Sequence, residues 1–105
     1  MIIKIKATCL TISKDISRVN KDKAIYEGQR CNLFIDGKYF PSNITIITNS
    51  MFVEFDASSE LDIEIIYDNI DDVDKIFILD KKFELREANN LLAMCIIILV
   101  SDNKP

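Results

Sequence analysis

KFELREANNLLAMCIIILVS, running from Lys82 to Ser101, is the stretch whose reading decides the fold. Its second half, Leu91 to Val100, is an unbroken run of ten apolar residues. Such a run has to be buried or inserted, and it is half of the roughly 20 residues needed to cross a bilayer. Ile96, Ile97, Ile98 and Val100 are β-branched, a side-chain type that suits a pleated surface. Leu85, Ala88, Leu92, Cys95 and Leu99 also fall at helical spacing, so a helix competes. Asn89 and Asn90 weigh against it, because Asn forms helices poorly and tolerates the positive φ of tight turns. The segment therefore reads as a strand, a turn at Ala88-Asn89-Asn90 and a long buried strand.

Strand-sized pieces precede it at short spacing. Ile2 to Ile12 alternates, with Ile3, Ile5, Ala7 and Cys9 on one face and Lys4, Lys6 and Thr8 on the other, the period of a strand with one buried side. Ser13 to Lys23 is polar and mixed in charge and reads as a surface excursion. Cys31 to Ile35 is a short strand closed by Asp36-Gly37, a pair suited to a two-residue turn. Pro41-Ser42-Asn43 is expected to end the segment that follows it. Ile44 to Thr48 and Met51 to Phe55 read as a hairpin turning at Asn49-Ser50, with Met51, Val53 and Phe55 facing inward. Leu61 to Tyr67 alternates most cleanly, Leu61, Ile63, Ile65 and Tyr67 inward and Asp62 and Glu64 outward. An acidic loop, Asp68 to Asp74, leads to the apolar run Ile76 to Leu79. The pattern predicts a single domain over residues 1–105, an all-β, six-stranded antiparallel Greek-key-like barrel.

Composition narrows the chemistry. The 105 residues carry a formal charge of −4, which disfavours a general affinity for RNA or for anionic lipid. There is no His, so the usual Ser-His and Cys-His nucleophiles are excluded. Cys9, Cys31 and Cys95 lack zinc or redox spacing and read as reduced thiols packed in the interior. Cys31 alone has a cation, Arg30, beside it in sequence. Lys4 and Lys6 interrupt what would have to be the core of a signal peptide, and the expected compartment is the cytoplasm. Asp68, Asp71, Asp72 and Asp74 do not fit the twelve-residue calcium loop, which needs a Gly at its bend and a closing Glu. No metal, cofactor or membrane contact is expected. Tyr26, Tyr39, Phe40 and Phe52 offer a stacking surface for single strands if they are exposed together, and otherwise pack in the core or at the rim.

Taken in order, these segments resemble the C-terminal β-barrel domain of translation elongation factor Tu. IIKIKATCLTISKD is similar to that domain's opening strand. Gly28-Gln29-Arg30-Cys31-Asn32-Leu33-Phe34-Ile35 is similar to the family's Gly-Tyr-Arg-Pro-Gln-Phe-Tyr-Phe, with Gly28 and Arg30 in common. Leu61-Asp62-Ile63-Glu64-Ile65 resembles its Val-Thr-Ile-Glu-Val strand, and Phe83, Arg86 and Glu87 match its Arg-Phe-Ala-Ile-Arg-Glu-Gly-Gly. The family's last turn is a glycine pair where this chain has Ala88-Asn89-Asn90. No G-x-x-x-x-G-K-[ST] occurs, so no nucleotide site of that kind is present. The resemblance implies a non-enzymatic interaction module that binds a translation-related protein, or tRNA, through a rim near Arg30 and Arg86. The alternative expectation is a small acidic immunity or antitoxin protein whose loop Asp68, Asp71, Asp72, Asp74 meets a basic toxin. Without a partner, Arg30 and Arg86 alike are expected to be rim cations, each paired with a nearby carboxylate such as Glu87.

Overall fold

The structure, a computed structural model, describes residues 2–48, 50–68 and 73–101. Six strands close a barrel: β1 (Ile2–Thr11), β3 (Arg30–Ile35), β4 (Lys38–Ile46), β6 (Ser58–Ile66), β7 (Lys82–Glu87) and β8 (Asn90–Ser101). Their order around the wall is β1-β6-β4-β3-β7-β8, all pairs are antiparallel, and β8 returns to β1. β3, β4 and β6 follow one another as a meander and β1 lies beside β6, which is the Greek-key arrangement. The period-two positions fill the interior as the sequence predicts: Ile3, Ile5, Ala7 and Cys9 from β1, Leu61, Ile63 and Ile65 from β6, and Phe83 and Leu85 from β7 are buried. Closure leaves no barrel strand with a free edge.

The Lys82–Ser101 hairpin forms, with Glu87 paired to Asn90. Its turn starts at Ala88 as expected but is one residue shorter, spanning Ala88 and Asn89. Ala88 takes the positive φ, +52°, and Asn90 already belongs to β8. At Asp36-Gly37 both residues have positive φ, 50° and 75°, the two-residue turn that the sequence foretells.

β8 departs from continuous burial, and its two irregularities say why. Leu85 pairs with Ala93 and Arg86 with Leu91, which leaves Leu92 as an extra residue. Lys6 pairs with Leu99 and Ala7 with Ile97, which leaves Ile98 over. Each bulge shifts the side-chain phase by one and bends the strand, as a barrel wall requires. Leu92, Ala93, Cys95 and Ile97 point inward, while Met94 (55% exposed), Ile98 and Leu99 (49%) point to solvent. A run expected to be wholly buried therefore has an outer side.

Other expectations are corrected. Pro41 does not end its segment; β4 runs through it, because Pro41 lies before the first residue of β4 that pairs with β6, Ser42. Met51 to Phe55 does not form a hairpin with Ile44 to Thr48. Both edges of β4 are taken by β3 and β6, so β5 (Phe52–Val53) pairs instead with β2 (Ile25–Tyr26). Val53 is buried but Met51 is 69% exposed. Asn49, of the expected turn, lies outside the described residues.

The polar excursion after β1 starts with a short helix, α1 (Lys14–Ser17), whose cap is Ser13 accepting from the Ile16 N–H at 3.3 Å. It then returns Val19, Ala24 and Ile25 to the core, where they join Val53. Past Ile76, the apolar run to Leu79 has no regular secondary structure. A second short helix, α2 (Val73–Ile76), leads into it, and Ile76 and Phe77 are buried, with the Phe77 ring edge-on to Phe40 at 5.1 Å.

The cysteines are also corrected. Cys9 and Cys95 face each other in register on β1 and β8 and form a disulfide rather than two separate thiols. β1 and β8 come together only because the barrel closes, so the pairing of residues 86 positions apart has no local signal.

Candidate interaction surface on β3, β4 and β7

The two arginines that the sequence singles out reach the same place. β3 is the neighbour of both β4 and β7, and its register sets Arg30 opposite Asn43 and Asn32 opposite Arg86. Arg30 and Arg86, with Asn32, Pro41, Ser42 and Ala88, line a shallow groove of about 250 Å³. Arg30 is exposed, and its Nε donates to Asn43 Oδ1 at 3.2 Å.

Arg86 is held on all sides. Its Nε donates to Glu84 Oε1 at 2.8 Å, Nη2 donates to the same oxygen, and Nη1 donates to the Tyr39 hydroxyl at 2.6 Å. The guanidinium lies over the Phe34 ring, 4.4 Å from its centre, and the Phe34 and Tyr39 rings meet at 4.6 Å. The hydrogen bonds that Arg86 donates to Glu84 raise its pKa above the ordinary value, so the cation is fixed in charge as well as in place. Its carboxylate partner is Glu84 and not Glu87. Side chains two apart on a strand share a face, which makes Glu84 the natural partner. Glu87 instead accepts from Lys21 and from Gln29, each at 3.3 Å, and anchors the segment between β1 and β3 to the rim of the groove.

Phe34 is the member of this cluster that the sequence reading does not single out, and Tyr39 meets Arg86 rather than a nucleic-acid base. A signal existed: a two-residue turn at Asp36-Gly37 pairs Ile35 with Lys38 and then Phe34 with Tyr39. The four aromatics that a stacking surface would need are dispersed. Phe40 is buried, Tyr39 belongs to Arg86, and Tyr26 and Phe52 lie on the β2–β5 pair beneath Lys21 and Lys23 at 5.7 and 4.4 Å.

The acidic loop is only partly placed. Asp68 is exposed beside Tyr67, and Asp74 opens α2; Asp71 and Asp72 lie outside the described residues. Among the described residues no three His, Cys, Asp or Glu side chains gather as a metal site. Cys31 lies under the arginine groove, buried, and burial pushes its thiol up to about 12. It is thus a neutral thiol at physiological pH, despite Arg30 beside it in sequence. No helix of the described residues is long and apolar enough to cross a membrane. No protein-family model matches the chain, and no curated protein does.

Proposed function

We propose that this chain is a non-catalytic interaction module that holds a protein partner in the groove between β3 and β7. The observation that carries the reading is the convergence of Arg30 and Arg86, from separate strands, on one groove with Tyr39 and Phe34 behind it. Arginine and tyrosine are the side chains that most often dominate binding energy at protein interfaces. Here Arg86 is already ordered by Glu84 and Tyr39, so little conformational entropy is lost when a partner seats. Arg30 donates from Nε to Asn43 but has no carboxylate partner among the described residues, and the chemistry fits an acidic or carboxylate-bearing segment. The resemblance to the elongation factor Tu barrel points to a partner among the proteins of translation, and a closed six-stranded barrel is the architecture that resemblance leads one to expect.

The test is affinity capture from a lysate of the source organism, comparing the wild type with Arg30→Glu. Loss of a carboxylate-bearing partner in the variant supports the groove. Capture of the same partner by both proteins places binding elsewhere and overturns it. Salt-sensitive retention of tRNA in a parallel gel shift replaces the protein partner by RNA.

A further inference from the structure

The outer side of β1 and β8 carries apolar residues that the barrel does not use. Leu10 (57% exposed) stands opposite Met94 in the cross-strand register, and Thr8 stands opposite Ile96. Thr8, Leu10, Met94, Ile96 and the stem of Lys82 line a depression of about 340 Å³. The bulge at Ile98 extends the strip by turning Ile98 and Leu99 outward together. A contiguous apolar strip on an outer face is the usual mark of a contact surface.

The charges beside the strip say what covers it. One row across the wall reads Lys82 on β7, Ile96 on β8, Thr8 on β1 and Glu60 on β6, all in register. It is positive at one end, uncharged in the middle and negative at the other. Neither Lys82 nor Glu60 has an ion-pair partner among the described residues. We propose that this face binds a second copy of the chain, about a two-fold axis that runs along the strands between β1 and β8.

Rotation about that axis exchanges the β7 side with the β6 side. Lys82 of each copy then stands over Glu60 of the other, twice, while the Leu10–Met94 row meets its own image. A two-fold axis across the strands would set Lys82 against Lys82, so the charge row selects one arrangement. Isologous contacts of this kind close at two copies. Face-to-face strands in aligned packing accommodate the geometry, with about 10 Å between sheets. Met94 suits such a seam, because its flexible thioether can fill the partner's depression. Few side chains take part in the contact, so the dimer is weak and forms in the micromolar range.

Sedimentation equilibrium on the full chain across a concentration series tests the proposal. The wild type is expected to self-associate, and Met94→Asp to remain monomeric. Lys82→Glu and Glu60→Lys are each expected to weaken association about tenfold, close to 1.4 kcal/mol. The double exchange Lys82→Glu with Glu60→Lys restores it, since the row is then reversed in both copies. Circular dichroism confirms that each variant stays folded, all three positions being on the outer surface. A wild type that stays monomeric to about 1 mM overturns the proposal. Restoration that fails in the double variant overturns the axis. Binding of a partner at the arginine groove uses another face and is scored separately, by Arg30→Glu.

Discussion

On the face made by β3, β4 and β7, the most conspicuous charge is already engaged: Arg86 is bound to Glu84 and Tyr39 and stacked on Phe34. On the face made by β1 and β8, the exposed apolar groups include Leu10, Met94, Ile98 and Leu99, and two charges beside them, Lys82 and Glu60, have no ion-pair partner among the described residues. The first face is organised before any partner arrives. The second is incomplete as it stands. Each also has its own cysteine chemistry beneath it, a disulfide under β1 and β8 and a buried neutral thiol under β3. Conspicuous charge therefore marks the face that needs least from outside, and apolar side chains that look like core mark the face that needs most.

The largest effect should come from reducing the Cys9–Cys95 bond. It closes a loop of 86 positions, so its loss should cost about 3–4 kcal/mol, seen as a lower midpoint when melts are repeated with a phosphine reductant. Hydrogen exchange should quicken first in β1 and β8, with β3 and β7 little changed. Equal loosening of both faces would erase the distinction between them.

Alkali should probe the other cysteine. An unfolded thiol ionises near its ordinary 9.0, whereas Cys31 in the folded chain does so only at about 12. Between those values the unfolded chain releases a proton that the folded chain keeps. Stability is therefore full below about pH 9 and falls above it by about 1.4 kcal/mol per pH unit. Denaturant titrations of the wild type and Cys31→Val between pH 8 and 11, compared as a difference, should show the slope in the wild type alone.

Smaller effects separate the faces directly. Arg86→Ala should lose about 1 kcal/mol, because a cation stacked on an aromatic ring is removed with its hydrogen bonds. Leu10→Ser, on the other face, should stay within about 0.5 kcal/mol of the wild type at concentrations where the chain is monomeric. At the turn joining β7 to β8, Ala88→Gly should raise stability by about 0.5–1 kcal/mol, since φ of +52° strains any residue with a Cβ.

Much of the barrel was legible because half-buried strands write their burial in alternate residues. Ile3 to Cys9 and Leu61 to Ile65 could be assigned to the interior without the structure. Legibility failed where the pattern has no period. The β2–β5 pair is two residues on each side, too short to alternate, and its register is set by Ala24 and Glu27 bonding to the backbone of Val53 and Met51. It failed again in β8, where ten apolar residues conceal two changes of phase at Leu92 and Ile98. Arg30 and Arg86 were legible as residues, but their meeting in one groove depends on β3 lying between β4 and β7, a fact of topology. Lys82 and Glu60 gave no local sign at all, since their relation exists only across four strands of a closed wall.

The seam between β1 and β8 also gives the molecule a mechanical character. Lys4 pairs with Ser101, so the two strands offer the same end of the seam to a load applied at Ile2 and Ser101. Antiparallel bonds run perpendicular to the strands, and a pull of that geometry loads them one at a time, as a zipper opens. Rungs from Lys4 to Thr8 should part at low force, until the tension reaches Cys9 and Cys95. There the load passes into a covalent link, and everything enclosed between those two residues is shielded from it. Oxidised, the chain is a short frayed lead on a rigid body; reduced, it is a sheet that can be unravelled from one end to the other.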